Sequence, residues 1–555
     1  MLRHEEAAAR IAGKEFDVCV IGGGATGAGC ALDAQLRGLK TVLLEGSDFA
    51  SGTSSTSTKL IHGGVRYLEQ AVKELDLAEY KVVRRALHER IRMLKNGPYL
   101  SRPMEFIVPC FDWLTVGYMG IGLRMYDWVA GEAGIFQSRF QNKETTLQHL
   151  PLLKEDHLVG SVVYADGQFD DGRFNLALVK TMVEAGGDAL NYARGVSFER
   201  DSQGKLCGVE VENKLTGGRF TVRAKVFVNA TGPWADTIRQ VANPEAHSRM
   251  RVSKGIHIFL SLDLHRSKSA LLIPKTEDGR VLFAVPWFDR LLVGTTETEV
   301  SLHDEMIVTK EEIAYLLRHL NHYLQTPVTP EQIVSGIAGM RPLVSAGGAK
   351  TTSKLARDHE VELDAKTGLV SIMGGKWTTY RAMAEDTINE AQKCIGKGVT
   401  PAQTRDHPLA GSEGYSQEYA KALAAKFAIG EETAQHLALK FGTRSTQVAE
   451  LARKEPALGE PIVAGFSPIR AEIAYAAREE MAMTIEDVLS RRIGLQLLDW
   501  RAAREAAAVT GAMLAKELGW SEAFEREAVE SYSGKITRML EVAGLDHQRP
   551  TAAVH

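Results

Sequence analysis

Gly22-Gly23-Gly24-Ala25-Thr26-Gly27 follows directly on the apolar run Phe16 to Ile21 and opens the small-residue stretch Ala28 to Arg37. A second apolar run, Thr41-Val42-Leu43-Leu44, ends at Glu45, about twenty residues past the glycines. Strand, three-glycine turn, helix, second strand and terminal acid, in that order, make the unit that binds a dinucleotide. Each residue type has its reason. Gly22 permits the turn, Gly24 lets a pyrophosphate approach the backbone, and Gly27 lets helix and strand pack closely; the helix N-terminus then faces the phosphates, and Glu45 accepts from a ribose hydroxyl. Glycine-rich turns are common singly, but here all the parts stand in register. The chemistry this implies is redox transfer through a bound cofactor, although these glycines do not by themselves separate NAD from FAD.

Two further strand ends carry the same small-residue turns. Lys225 to Asn229 is a buried-strand pattern stopping at Ala230-Thr231-Gly232-Pro233-Trp234, and Leu369 to Met373 stops at Gly374-Gly375-Lys376-Trp377-Thr378-Thr379-Tyr380 before a helical stretch from about Arg381. Glycines where strand meets helix offer backbone N–H groups to an anion or a flavin edge. Leu206 to Val211 and Arg219 to Val226, around Leu215-Thr216-Gly217-Gly218, predict a hairpin. Strand-like runs at Ile256 to Ser261, Leu271 to Pro274, Val281 to Val285 and Leu291 to Gly294 predict a mixed sheet over the cofactor. After about Thr400 the character turns helical, and Thr484-Ile485-Glu486-Asp487 reads as the cap of a helix carrying Val488, Leu489, Ile493 and Leu497.

A chain of 555 residues, 44% hydrophobic and 25% charged, can bury several cores. Lysine and arginine number 66 against 70 acids, and the net charge of -4 gives no global attraction to nucleic acid or an anionic membrane. Cys19, Cys30, Cys110, Cys207 and Cys394 show no CxxC spacing, against both a disulfide framework and a zinc site; no metal is expected. Met1 to Lys14 lacks an apolar h-region, so a cytosolic side is the default. The most apolar region, Phe106 to Ala130, is broken by Asp112, Arg124 and Asp127, against a simple membrane-spanning helix. Its aromatic segment, Trp113, Tyr118, Met119, Ile121, Leu123, Tyr126 and Trp128, fits a lipid interface or a buried core helix equally well.

The stretch from Gly52 to Leu68, Gly-Thr-Ser-Ser-Thr-Ser-Thr-Lys-Leu-Ile-His-Gly-Gly-Val-Arg-Tyr-Leu, is similar to the signature of the FAD-dependent glycerol-3-phosphate dehydrogenases. Asn229 to Trp234, Lys254-Gly255-Ile256-His257, Pro286-Trp287, Gly339 to Leu343, Ala356 to His359 and Gly374 to Arg381 resemble the same family, so the likeness spans nearly the whole chain. Ala28 to Lys40, Lys59 to Leu68 and Ala382 to Asn389 are closer to its mitochondrial than to its shorter bacterial form. No D-x-[DN]-x-[DN]-G loop follows Arg470, so calcium control is not expected.

The resemblance implies an α/β protein: a Rossmann-like FAD-binding domain of the glutathione-reductase and D-amino-acid-oxidase type, a mixed-sheet substrate domain, and an α-helical C-terminal domain. The FAD-binding parts are expected at 14–105, 166–250 and 346–398, the substrate parts at 106–165 and 251–345, and the helical domain at 399–540. It also implies oxidation of sn-glycerol 3-phosphate to dihydroxyacetone phosphate by hydride transfer to FAD, with quinone as acceptor and the enzyme peripheral on the inner face of the cell membrane. Homodimerisation is left open. The substrate phosphate calls for cationic side chains, and by resemblance these are Arg341, Arg357 and Lys376, with Arg66 and Tyr67 lining the pocket. Among sixteen histidines, His257 matches the position of a base or substrate-orienting residue. For FAD the resemblance implies Gly22, Gly24 and Gly27 at the pyrophosphate and Glu45 at the ribose. Thr53, Ser54, Ser57, Thr58 and Lys59 are expected at phosphate or ring polar atoms, and Gly63, Gly64, Ala230, Gly232, Gly375, Lys376 and Thr378 complete the shell. The rival readings are a related oxidase of an amino acid or α-hydroxy compound using oxygen, a non-catalytic flavin sensor, and an NAD-linked dehydrogenase.

Overall fold

A computed structural model describes residues 3–64, 77–261, 267–345 and 359–548. Arg66, Tyr67 and Arg357 lie outside the described residues. Among the described residues the chain forms a sheet of eight strands and a sheet of ten.

The first sheet is centred on Glu15–Ile21, which pairs in parallel with Arg219–Asn229 on one side and Thr41–Leu44 on the other. Val370–Gly374 extends it in parallel beyond Arg219–Asn229, and Asp188–Leu190 beyond Thr41–Leu44. These central strands are buried on both faces, which is why they read as continuous apolar runs. The predicted hairpin is present as Leu206–Asn213 paired with Arg219–Asn229. Helix Ala25–Leu36 covers one face and packs against Asp171–Glu184 and Tyr380–Cys394. A Cβ on Gly29 would come within 2.9 Å of the Tyr380 ring, so the small residues of this helix set how closely it lies on its neighbour.

The second sheet is built on the antiparallel ladder between Met250–Ser261 and Ile333–Val344. The four predicted middle strands appear as Met250–Ser261, Ala270–Ile273, Leu282–Trp287 and Arg290–Gly294. Leu60–Ile61, Ser101–Cys110 and Gly160–Phe169 join this sheet at its far edge. Directly opposed residues share a face, and alternate residues along a strand do too. Ser253 stands opposite Arg341, Gly255 opposite Gly339, and His257 opposite Ile337. Ser253, Gly255, His257 and Arg341 therefore lie on one face of one ladder.

After Thr404 the described residues are helical, ending in the long helix Glu522–Ala543. The continuous capped helix expected from Thr484 to Leu497 is corrected. Thr484 Oγ1 does accept from Asp487 N–H at 3.1 Å, but Asp487–Arg492 is wound as a π-helix and Gly494, at φ +83°, breaks the run. The wider turn brings both Arg491 and Arg492 onto Asp48: Arg491 Nε donates at 2.6 Å and Arg492 Nη2 at 2.8 Å. Buried pairs Arg173–Glu480 and Lys440–Asp170 tie the helical region to the first sheet's helices. Cys19, Cys30 and Cys110 are buried, Cys207 is half-buried and Cys394 is exposed.

The aromatic segment forms the helix Trp113–Ala130, capped by Asp112, which accepts from Thr115 N–H at 2.7 Å. Leu123, Tyr126, Val129 and Ala130 are buried, whereas Trp113, Leu114, Tyr118, Ile121 and Trp128 stand in the open, Leu114 at 88% exposure. A core helix covered by a loop is thereby excluded for that face. No described helix is long and apolar enough to cross a membrane.

Candidate active site

The loop 52–58, at the head of the signature stretch, is where the parts meet. Ser54 Oγ accepts from Ala25 N–H at 2.9 Å, at the start of the nucleotide helix. Thr53 Oγ1 donates to the Met340 carbonyl at 2.5 Å, which docks the loop on the strand carrying Arg341. Trp377 Nε1 donates to the Ser54 carbonyl at 2.9 Å and brings in the third glycine turn. Thr58 Oγ1 lies 2.9 Å from His257 Nε2. One short polar loop thus connects both sheets and the first and third glycine turns, and small hydroxyl residues suit it because each satisfies a local donor or acceptor without filling space.

At the nucleotide end the glycines are closely packed. Gly22 sits at φ +110°, and a Cβ there would meet the Ala230 carbonyl oxygen at 2.5 Å; at Gly27 it would fall 1.7 Å from the Gly22 carbonyl oxygen. Glu45 accepts from Gly23 N–H at 2.6 Å and Ser47 N–H at 2.8 Å, which orients it at the strand end. Gly22, Gly24, Glu45, Thr53, Ser54, Ala230, Gly232, Gly375 and Lys376 line one continuous cleft of about 1310 Å³. Gly375, at φ +85°, lies close against Met383, where a Cβ would be 2.4 Å from the thioether. We expect Gly27→Ala to weaken FAD binding at least tenfold, about 1.4 kcal/mol or more, read as flavin absorbance per purified protein.

Seven expected cofactor residues do not line this cleft: Gly27, Ser57, Thr58, Lys59, Gly63, Gly64 and Thr378. Ser57 donates to Asp171 at 2.7 Å, and Lys59, fully buried, gives its ammonium to Asp171 Oδ1 at 2.5 Å and the Ser55 carbonyl at 3.2 Å. Burying the Lys59 ammonium, expected at phosphate or ring polar atoms, requires a carboxylate, and Asp171 supplies it. Gly63 N–H donates to the Tyr126 hydroxyl, itself bonded to Asp166, while Gly64 takes φ +87°. Thr378, buried, accepts from His62 N–H at 3.3 Å. Asp171 went unnoticed in the sequence, although Asp170-Asp171-Gly172-Arg173 directly follows a strand and could have marked it.

His257 is 3% exposed, its ring lying against Gly294, where a Cβ would fall 2.0 Å from Cδ2. Burial and the nearby cations Arg341 and Lys59 lower its pKa to about 3, so the imidazole is neutral at working pH. Its Nδ1 has no hydrogen-bond partner among the described residues. The guanidinium of Arg341 passes over Gly255, where a Cβ would stand 2.1 Å from Nη2. Nη2 donates to Thr295 Oγ1 at 2.9 Å and the Thr296 carbonyl at 3.0 Å. Those two threonines, which hold the arginine in place, were not foreseen. The structure brings His257, Thr58 and Arg341 together, and places Lys376 at the mouth of the third turn on the cleft.

The residues fit FAD: a long cleft, glycines packed so closely on their neighbours that no Cβ fits, a strand-end acid, and a neutral histidine and a cation beyond. Such a fold and site define an FAD-dependent oxidoreductase, and residues 17–381 match the family model of that description. Residues 402–525 match the C-terminal domain of alpha-glycerophosphate oxidase. The mitochondrial glycerol-3-phosphate dehydrogenase of Homo sapiens is 40% identical over 528 residues, 93% of this chain and 72% of that protein. The SDP6 mitochondrial form from Arabidopsis thaliana is 39% identical over 94% of this chain and 86% of its own. The glycerol-3-phosphate dehydrogenase of Bacillus halodurans, solved with FAD, superimposes with a TM-score of 0.78 at 29% identity, covering 99% of this chain and 98% of that one. The chain belongs to the FAD-dependent glycerol-3-phosphate dehydrogenases.

Proposed function

We propose that this enzyme oxidises sn-glycerol 3-phosphate to dihydroxyacetone phosphate and hands the electrons to a membrane quinone. The observation that carries the reading is the placement of a neutral, buried His257 and the Arg341 guanidinium on one face of the same ladder. Arg341 and Lys376 hold the phosphate, Arg341 as a planar fork and Lys376 as a point charge. Thr58 Oγ1 pairs with His257 Nε2 and holds the ring, whose neutral imidazole takes the substrate's hydroxyl proton. Bound FAD supplies the acceptor for the carbinol hydride. A phosphate dianion resting on Arg341 offsets one of the cationic fields that depress His257, so the base strengthens when substrate arrives. The roles of Arg66, Tyr67 and Arg357 belong to the same proposal.

Anaerobic titration tests it. Stoichiometric sn-glycerol 3-phosphate is expected to bleach the flavin band, and a soluble quinone to restore it; a flavin that stays oxidised sinks the substrate, and restoration by oxygen alone favours an oxidase.

The open face of helix Trp113–Ala130 supports peripheral attachment at the inner face of the cell membrane, since tryptophan, tyrosine and leucine side chains gain by entering the headgroup boundary. Trp113→Ser, Leu114→Ser and Ile121→Ser together are expected to lower vesicle partitioning by tenfold or more, on the order of 1.4 kcal/mol, in a co-sedimentation assay. Unchanged partitioning would remove this helix from the membrane contact.

A further inference from the structure

We propose that the C-terminal helical region completes the adenosine end of the FAD site, with Trp520 and Phe524 covering the adenine ring. This rests on the FAD reading of the cleft. The order of groups gives the cleft a direction: the pyrophosphate belongs at Gly24 and the ribose at Glu45. The part beyond Glu45, away from the phosphates, is where the base must lie. Leu215 and Val241 of the FAD-binding sheet's surround line this cleft, together with Trp520, just before the last helix, and Phe524 in that helix's first turn.

Three of these four side chains share an unusual property. Leu215, Val241 and Phe524 are among the exposed large apolar residues, at 38%, 39% and 50% exposure, and all three line the same cleft. Trp520 is half-buried and meets Phe524 edge-on, ring centroids 5.0 Å apart. An apolar-lined slot is suited to a planar heterocycle, which gains by stacking on aromatic faces and by drying such walls.

A second, independent arrangement fastens the helical region to the same place. Asp48 lies three residues past Glu45 and is gripped by Arg491 and Arg492 from the π-turn. Asp487 in that turn accepts from the Tyr192 hydroxyl at 2.8 Å, and the Tyr192 carbonyl accepts from Lys214 N–H at 2.8 Å, in the hairpin bearing Leu215. The C-terminal region thereby positions both the turn that presents the ribose acid and one wall of the slot. Arg491 and Arg492 are positioning residues in this account, acting through Asp48.

The test follows FAD release from purified holoenzyme after large dilution, read as recovery of flavin fluorescence, for wild type, Phe524→Ala and Trp520→Ala/Phe524→Ala. Release from the double variant is expected to be at least about tenfold faster, with an intermediate value for Phe524→Ala. Binding of ADP and of FMN to the apoproteins supplies the second readout: the variants should lose ADP affinity by a comparable factor and keep wild-type FMN affinity. Equal release rates, or an equal loss of FMN and ADP affinity, would overturn the proposal. Wild-type protein that holds no flavin would overturn the cofactor assignment itself, which separates the two failures.

Discussion

Replacing Arg341 with alanine is expected to lower kcat/KM for sn-glycerol 3-phosphate by about 10³-fold, on the order of 4 kcal/mol. Two charge-assisted hydrogen bonds to a phosphate dianion make up most of that figure. The loss should fall mainly on KM, with kcat partly retained, because the guanidinium binds the non-reacting end of the substrate. Gly255→Ala gives a sharper version of the test. It leaves the arginine in the chain but puts a methyl 2.1 Å from where Nη2 now lies, so the fork must swing away from Thr295 and Thr296. A similar defect in G255A and R341A, with flavin content unchanged, would show that position and not charge alone matters. Full activity in G255A would refute the role of that geometry. Arg341→Lys should recover little, since an ammonium cannot reproduce the planar fork.

His257→Asn is expected to slow flavin reduction by 10²- to 10⁴-fold, the usual worth of a positioned base, with a smaller change in KM. Single-turnover reduction under anaerobic conditions measures it directly. The same residue makes a stability prediction. Its folded pKa, about 3, lies below the ordinary 6.5, so the unfolded chain binds the additional proton between those values. The contribution is intact above pH 6.5 and is lost as pH falls toward 3, by up to roughly 1.4 kcal/mol per pH unit. Urea midpoints at pH 7 and pH 5 should therefore differ less in His257→Asn than in wild type. An identical pH slope in both proteins would mean that the imidazole is not held neutral by the fold.

The dinucleotide unit was legible because every part of its logic is local. A turn at positive φ needs glycine, a close helix–strand approach needs another, and both stand within six residues of the first. The hairpin at Leu215 to Gly218 and the strands around His257 were legible for the same reason, alternation and turn residues being properties of adjacent positions. The family likeness added His257, Arg341 and Lys376, which no spacing within the chain would single out.

What the sequence could not supply was long-range. Lys59 sits in the signature stretch and reads as a cofactor contact, yet its ammonium is taken by Asp171, 112 residues away. Asp487 reads as the third residue of a helix cap, and so it is, but the π-turn that follows exists to bring two arginines onto Asp48, more than 440 residues earlier in the chain. The aromatic segment at Trp113 was ambiguous because periodicity says which residues share a face, not whether that face is covered. Local backbone requirements and alternation were thus determined by the sequence alone, since they act between neighbours. Which charges are paired, which apolar faces stay open, and that His257 and Arg341 meet across Gly255 were decided only by the tertiary structure, because burial and Coulomb energies depend on what other segments bring to the same place.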